Sequence, residues 1–127
     1  MQKLVIGLIG FGTVGEGLWN VLKNSKTVDA RIKKICIKNP EKERSLPSEL
    51  FTTDADEIIQ DPEINLVVEL ISGGTESFGI VSAAMRSGKS VVTGNKAMLA
   101  YHIQELISLQ KECNVALLYD SSACGSI

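Results

Sequence analysis

Ile9-Gly10-Phe11-Gly12-Thr13-Val14-Gly15 is the stretch on which the fold turns. Before it, Lys3 to Ile9 is an apolar run of strand length. After it, Val14, Leu18, Val21 and Leu22 recur at i, i+4, i+7 and i+8, which predicts one face of a helix. A Gly-x-Gly-x-x-Gly set between a strand and a helix asks something different of each glycine. Gly10 permits the tight turn, Gly12 lets the backbone approach a pyrophosphate, and Gly15 lets the helix pack close to the strand. The helix then presents its unpaired N–H groups to the anion. Gly10, Phe11, Gly12, Thr13, Val14 and Gly15 are therefore the expected diphosphate-binding residues of a dinucleotide site. The alternatives are a glycine turn with no ligand, or one that serves another nucleotide-like molecule such as S-adenosylmethionine.

Outward from this turn the chain alternates between strand-length apolar runs and helix-period segments, the pattern of a parallel sheet with crossover helices. A second strand is expected at about Ile32 to Lys38, followed by a polar, proline-containing surface loop from Asn39 to Phe51. Thr53 is placed to cap a short helix with Asp54, Asp56 and Glu57 in its first turn and Asp61-Pro62 as its stop. Ile64 to Ile71 is almost continuously apolar, as a central strand buried on both faces must be. Gly73-Gly74 opens a turn into a helix that runs to about Arg86, with Gly88 at a left-handed C-terminal cap. A strand at Ser90 to Thr93, a helix from Lys96 to about Glu112 and a strand at Val115 to Tyr119 complete the series. Five such strands make an α/β doubly wound parallel sheet. Right-handed crossovers then bring the loops after residues 9, 38, 71, 93 and 119 to one edge, where a ligand crevice forms.

At 127 residues with 44% apolar content, the chain suits a single domain with one ordinary core, residues 1–127. A formal net charge of −2, without a basic stripe, gives no reason to expect nucleic acid or an anionic membrane as partner. The run from Leu4 to Ile9 is too short, and too soon broken by Gly7, for a signal peptide or membrane span, so a cytoplasmic location is expected. Cys36, Cys113 and Cys124 are odd in number and widely spaced, which favours reduced thiols, with Cys36 and Cys113 as plain apolar fillers. His102 has no partner at metal-ligand spacing and reads as a solvated helix residue, and Trp19 reads as packing. Lys38-Asn39 stands where a site that prefers NAD carries an acid for the ribose 2′-hydroxyl. A cation there tolerates or attracts the 2′-phosphate of NADP.

Three further stretches narrow the class: Leu66-Val67-Val68-Glu69-Leu70-Ile71-Ser72-Gly73-Gly74, Val91-Val92-Thr93-Gly94-Asn95-Lys96-Ala97-Met98-Leu99-Ala100, and Leu118-Tyr119-Asp120-Ser121-Ser122-Ala123-Cys124-Gly125-Ser126-Ile127. In kind, order and spacing the chain resembles homoserine dehydrogenase. The resemblance implies a Rossmann-type NAD(P)-binding domain and interconversion of L-homoserine and L-aspartate 4-semialdehyde, a step toward threonine and methionine. It implies that Gly10 to Gly15 contact the cofactor diphosphate, that Lys38 lies near the adenosine ribose, and that Ser72 and Gly73 lie beside the cofactor. Thr93 would sit near the nicotinamide, and Lys96 beside both nicotinamide and substrate as the catalytic group. Asp120, Ala123, Gly125 and Ile127 match positions that hold a monovalent cation, Na+ or K+, largely through backbone oxygens. Asp120 is one methylene shorter than the usual Glu there.

In that family a dimerisation and substrate region follows. The chain therefore looks like the cofactor-binding part of a longer homo-oligomeric enzyme, expected to be inactive alone. Two other readings stay open: the nucleotide domain of another dehydrogenase, and a non-catalytic NAD(P)-sensing module.

Overall fold

The computed structural model describes residues 3–27, 29–41, 44, 46–71 and 75–119. Among these residues six strands form one parallel sheet: β1 (Leu4–Ile9), β2 (Ala30–Cys36), β3 (Phe51–Thr52), β4 (Leu66–Glu69), β5 (Ser90–Thr93) and β6 (Leu117–Tyr119). Their spatial order is β3-β2-β1-β4-β5-β6, and every neighbouring pair is parallel. The helices are α1 (Thr13–Asn24), α2 (Asp56–Ile59), α3 (Thr75–Arg86) and α4 (Lys96–Cys113), with a single 3₁₀ turn at Ser48–Leu50. The order reverses at β1, which lies between β2 and β4, and this places the crevice of a doubly wound sheet.

Both faces of the sheet are covered. On one, Ile58 and Ile59 of α2, Val81, Ala84 and Met85 of α3, and Met98, Leu99, Leu106 and Leu109 of α4 pack on Ile9, Val67, Val91 and Leu117. On the other, Leu18, Trp19 and Leu22 of α1 cover Ile6, Leu8, Ile32 and Ile35. Leu8, Ile35, Val67 and Val91 are fully inaccessible. Cutting such a leucine or isoleucine back to alanine costs about 2–5 kcal/mol.

Four expectations are corrected. The inward stripe of α1 is buried Gly15 with half-buried Leu18, Trp19 and Leu22, whereas Val14 and Val21 are 67% and 65% exposed. Trp19 offers more apolar area than either valine, and the stripe turns toward it. The stretch from Asn39 to Phe51 is not wholly loop, because Phe51–Thr52 pairs with Ile35 and Cys36 as a sixth strand. Thr53 does not cap α2. The Asp54 carboxylate accepts from the Asp56 N–H at 3.0 Å, and the Thr52 hydroxyl accepts from the Asp54 N–H at 3.1 Å. Finally, β2 ends at Cys36 and β4 at Glu69, so Lys38 and Ile71 lie just beyond their strands.

The helix ends follow local rules. Gly88 has φ +85°, its N–H donates to Met85 O, and the Lys89 N–H donates to Ala84 O, a left-handed cap that satisfies two terminal carbonyls. Lys89 is buried, and its ammonium donates to the carbonyls of Asp61 and Ile64 at 2.6 and 2.8 Å. Burial holds its pKa below the ordinary lysine value.

Candidate functional site

At the carboxyl edge the sheet ladder continues into the turns that leave it. Gly10 N–H donates to Cys36 O, Leu70 N–H to Ile9 O and Gly94 N–H to Glu69 O. The exits of β1, β2, β4 and β5 are thus held side by side. Beside the first three opens a crevice of about 660 Å³ lined by Gly10, Phe11 and Gly12, by Lys38 and Asn39, and by Ile71 and Glu76. A second hollow of about 380 Å³, lined by Pro40, Leu46 and Phe51, shares Ile37, Arg44 and Thr53 with it.

The three motif glycines do different work. Gly10 has φ +95°, and a Cβ there would lie 3.3 Å from the backbone carbon of Leu70. At Gly15 a Cβ would meet the Phe11 ring at 3.0 Å and the Leu8 side chain at 3.5 Å, so this residue sets the spacing between α1 and β1. At Gly12 a Cβ would meet nothing within 4 Å. Neither backbone strain nor protein packing explains the glycine at 12. Gly12, which lines the crevice, is also the N-cap of α1 and provides no side-chain cap for the helix's leading N–H groups.

Lys38 reaches across the mouth to Glu76 in the first turn of α3, at 3.2 Å, with both side chains about two-thirds exposed. Arg44 donates to Asn39 O at 2.8 Å, and its guanidinium lies 5.4 Å from the centre of the Phe51 ring. Among the described residues, two cations therefore stand on the β2 side of the crevice. Cys36 also lines it as a free thiol, and its pKa is raised by burial first and by Asp54 and Glu57 second. That keeps it protonated and unreactive at neutral pH, as suits a filler.

On the β5 side, Asn95 caps α4 by accepting from the Met98 N–H at 3.0 Å, and Lys96 is the helix's first residue, exposed to solvent. Thr93 stands at the end of β5, 2% exposed, with its hydroxyl turned inward to the carboxylate of Glu69 at 2.7 Å. The Thr93 hydroxyl is thus committed to the protein interior. Glu69, fully buried at the end of β4, was singled out by no motif reasoning. Its signal is a lone acid in an otherwise apolar run from Leu66 to Ile71.

Of the expected site residues, Gly10, Phe11, Gly12 and Lys38 line one crevice, whereas Thr13, Val14 and Gly15 of α1, Thr93 at the end of β5 and Lys96 at the start of α4 do not line it. Ser72 and Gly73 lie outside the described residues, as do Asp120, Ala123, Gly125 and Ile127. Among the described residues no group of three or more His, Cys, Asp or Glu side chains is placed to hold a metal ion. His102 is a helix surface residue, stacked on Phe78 with ring centres 3.9 Å apart and 2.9 Å from Glu105. No helix among the described residues is long and apolar enough to cross a membrane.

The sequence matches the family model of the homoserine dehydrogenase NAD-binding domain over residues 10–120. The chain belongs to this family. It is 33% identical to a homoserine dehydrogenase of Bacillus subtilis, over all of this chain and 31% of that protein. A Pseudomonas aeruginosa homoserine dehydrogenase is also 33% identical, with the same shares covered. Among solved structures, homoserine dehydrogenase from S. aureus superposes with a TM-score of 0.85 at 32% identity, over 94% of this chain and 33% of that one. The enzyme from Thiobacillus denitrificans gives 0.84 at 31% identity, over 93% and 29%. The chain thus spans about a third of the length of these homoserine dehydrogenases, the part that corresponds to their NAD(P)-binding Rossmann-type domain.

Proposed function

We propose that the chain is the cofactor-holding part of an oxidoreductase that interconverts L-homoserine and L-aspartate 4-semialdehyde with NADP or NAD. The observation that carries the reading is the glycine turn at the start of α1, where Gly10, Phe11 and Gly12 line the crevice, the helix has no side-chain cap, and a Cβ at Gly12 would project into open space. Membership of the homoserine dehydrogenase family narrows the dinucleotide's task to that reaction. The leading N–H groups of α1 and the backbone of Gly10 to Gly12 are suited to hold the diphosphate. Lys38, with Arg44 behind it, supplies positive charge for a 2′-phosphate. The Lys38–Glu76 contact is an exposed pair worth about 0–1 kcal/mol, so a phosphate readily competes for the lysine. NADP is accordingly expected to bind at least as well as NAD.

The nicotinamide, when bound, accepts or returns the hydride. The proton is the protein's task. Lys96, at the start of α4 beyond β5, is assigned to take the hydroxyl proton as homoserine is oxidised and to return it in the reverse direction. Ser72 and Gly73 remain the assigned neighbours of the cofactor, and Asp120, Ala123, Gly125 and Ile127 the assigned oxygen donors for Na+ or K+. A cytoplasmic homo-oligomer is the setting we assign to the full-length enzyme.

The test is Lys96→Met in the enzyme with its substrate region present. Turnover is expected to fall about a hundredfold or more, the worth of a general acid–base group, while NADPH affinity stays within a few fold. Turnover that survives while NADPH binding collapses makes Lys96 a cofactor ligand and ends this assignment.

A further inference from the structure

We propose that Glu69 is a positioning residue that holds the nicotinamide end of the crevice in shape and, with it, the start of the helix that carries Lys96. The proposal rests on the dinucleotide reading above, and its starting point is a buried acid that the reading leaves without a task. One carboxylate oxygen of Glu69 accepts from the Ser77 hydroxyl at 2.6 Å and from the Thr93 hydroxyl at 2.7 Å. The other accepts from the Ile71 N–H at 2.7 Å. The three donors come from the first turn of α3, the end of β5 and the exit of β4. All lie at the carboxyl edge of the sheet, and no cation among the described residues pairs with the acid.

The bonds continue outward and close on themselves. Thr93 Oγ1 accepts from the Asn95 N–H at 3.2 Å, and the Asn95 side-chain amide donates to Ile71 O at 3.0 Å. The same side chain's oxygen caps α4 at Met98. Ile71 is therefore fixed on both sides of its residue, by Glu69 through its N–H and by Asn95 through its carbonyl. Asn95 immediately precedes Lys96.

An apolar residue at 69 would suit the surrounding core better, since burying a carboxylate is costly unless every lone pair finds a partner. What an acid can do and an apolar residue cannot is accept from three elements at once. A network of this kind, fully satisfied, fixes the relative placement of the groups it joins. The ADP half of a dinucleotide is assigned to Gly10 to Gly15 and Lys38, none of which bonds to the Glu69 carboxylate.

Glu69→Gln, made in the full chain, separates the two halves. Amide hydrogen exchange without ligand is expected to speed up at least tenfold at Ile71, Asn95 and Met98, with the amides of α1 and β2 unchanged. NADPH is expected to bind about tenfold more weakly. ADP-ribose 2′-phosphate, which lacks the nicotinamide, should keep its affinity within twofold. Unchanged exchange at those three amides overturns the proposal, as does an equal effect on the two ligands, whether equal loss or none. Wild-type chain that binds neither ligand refutes the dinucleotide reading and leaves exchange to decide the role of Glu69. If Glu69→Gln does not fold, Thr93→Val removes one donor, keeps the acid, and is measured in the same way with the same outcomes.

Discussion

A side chain added at Gly12 meets no protein atom within 4 Å, whereas one added at Gly15 presses on Phe11 and Leu8. The two glycines of one motif thus answer to different constraints, and substitution tells them apart. Gly12→Ala leaves the fold nearly intact, at a cost of about 1 kcal/mol or less for a poorer helix cap. It should weaken NADPH at least tenfold, or about 1.4 kcal/mol, because the methyl group takes the space of the diphosphate. Gly15→Ala should instead lower the unfolding midpoint in urea, since the helix must move off its strand. Urea unfolding beside fluorescence titrations reads both quantities. An unaltered NADPH affinity in Gly12→Ala would remove the strongest argument for a ligand at this turn. Most of these residues were legible from spacing alone, because Gly-x-Gly-x-x-Gly between a strand and a helix states its own geometry. Glu69 was not: its role depends on Ser77 and Thr93, residues 8 and 24 positions away, and no local pattern links them.

Among the elements, the cap of α3 offers the cleanest test, because nothing lies within 4 Å of a Cβ at Gly88 and its φ is +85°. Gly88→Ala should therefore destabilise by about 1–2 kcal/mol through backbone conformation alone. Asn114, which ends α4 at φ 55°, should tolerate glycine with little change, as both residues accept the left-handed region. Urea unfolding checks both, and an unperturbed Gly88→Ala would mean that the cap is not left-handed. Gly88 was visible in the sequence because glycine after a helix-period segment has few other uses. The short strand at Phe51–Thr52 was hidden, since two residues carry no alternation to read and Pro47 and several charges precede them. The buried face of α1 was misread for a related reason. Counting valines and leucines equally gave weight to Val14 and Val21, whereas Trp19 and the bare surface of Gly15 decide which side turns inward.

For the whole molecule, alternation and right-handed crossovers predict a doubly wound parallel sheet, and the observed order β3-β2-β1-β4-β5-β6 sets the crevice beside β1. That crevice gathers the glycine turn, Lys38 and Arg44 from segments far apart in sequence. The central claim is that it takes a nicotinamide dinucleotide and favours the one with a 2′-phosphate. Calorimetric titration of the chain with NADPH and with NADH, repeated with Lys38→Asp, tests this most directly. One saturable site is expected, with NADPH bound at least as tightly as NADH. In Lys38→Asp the order should reverse, since a charge-assisted contact to the phosphate is worth about 1.5–3 kcal/mol, or about ten- to a hundredfold. Absence of binding by either nucleotide, or equal weakening of both by the substitution, would contradict the account.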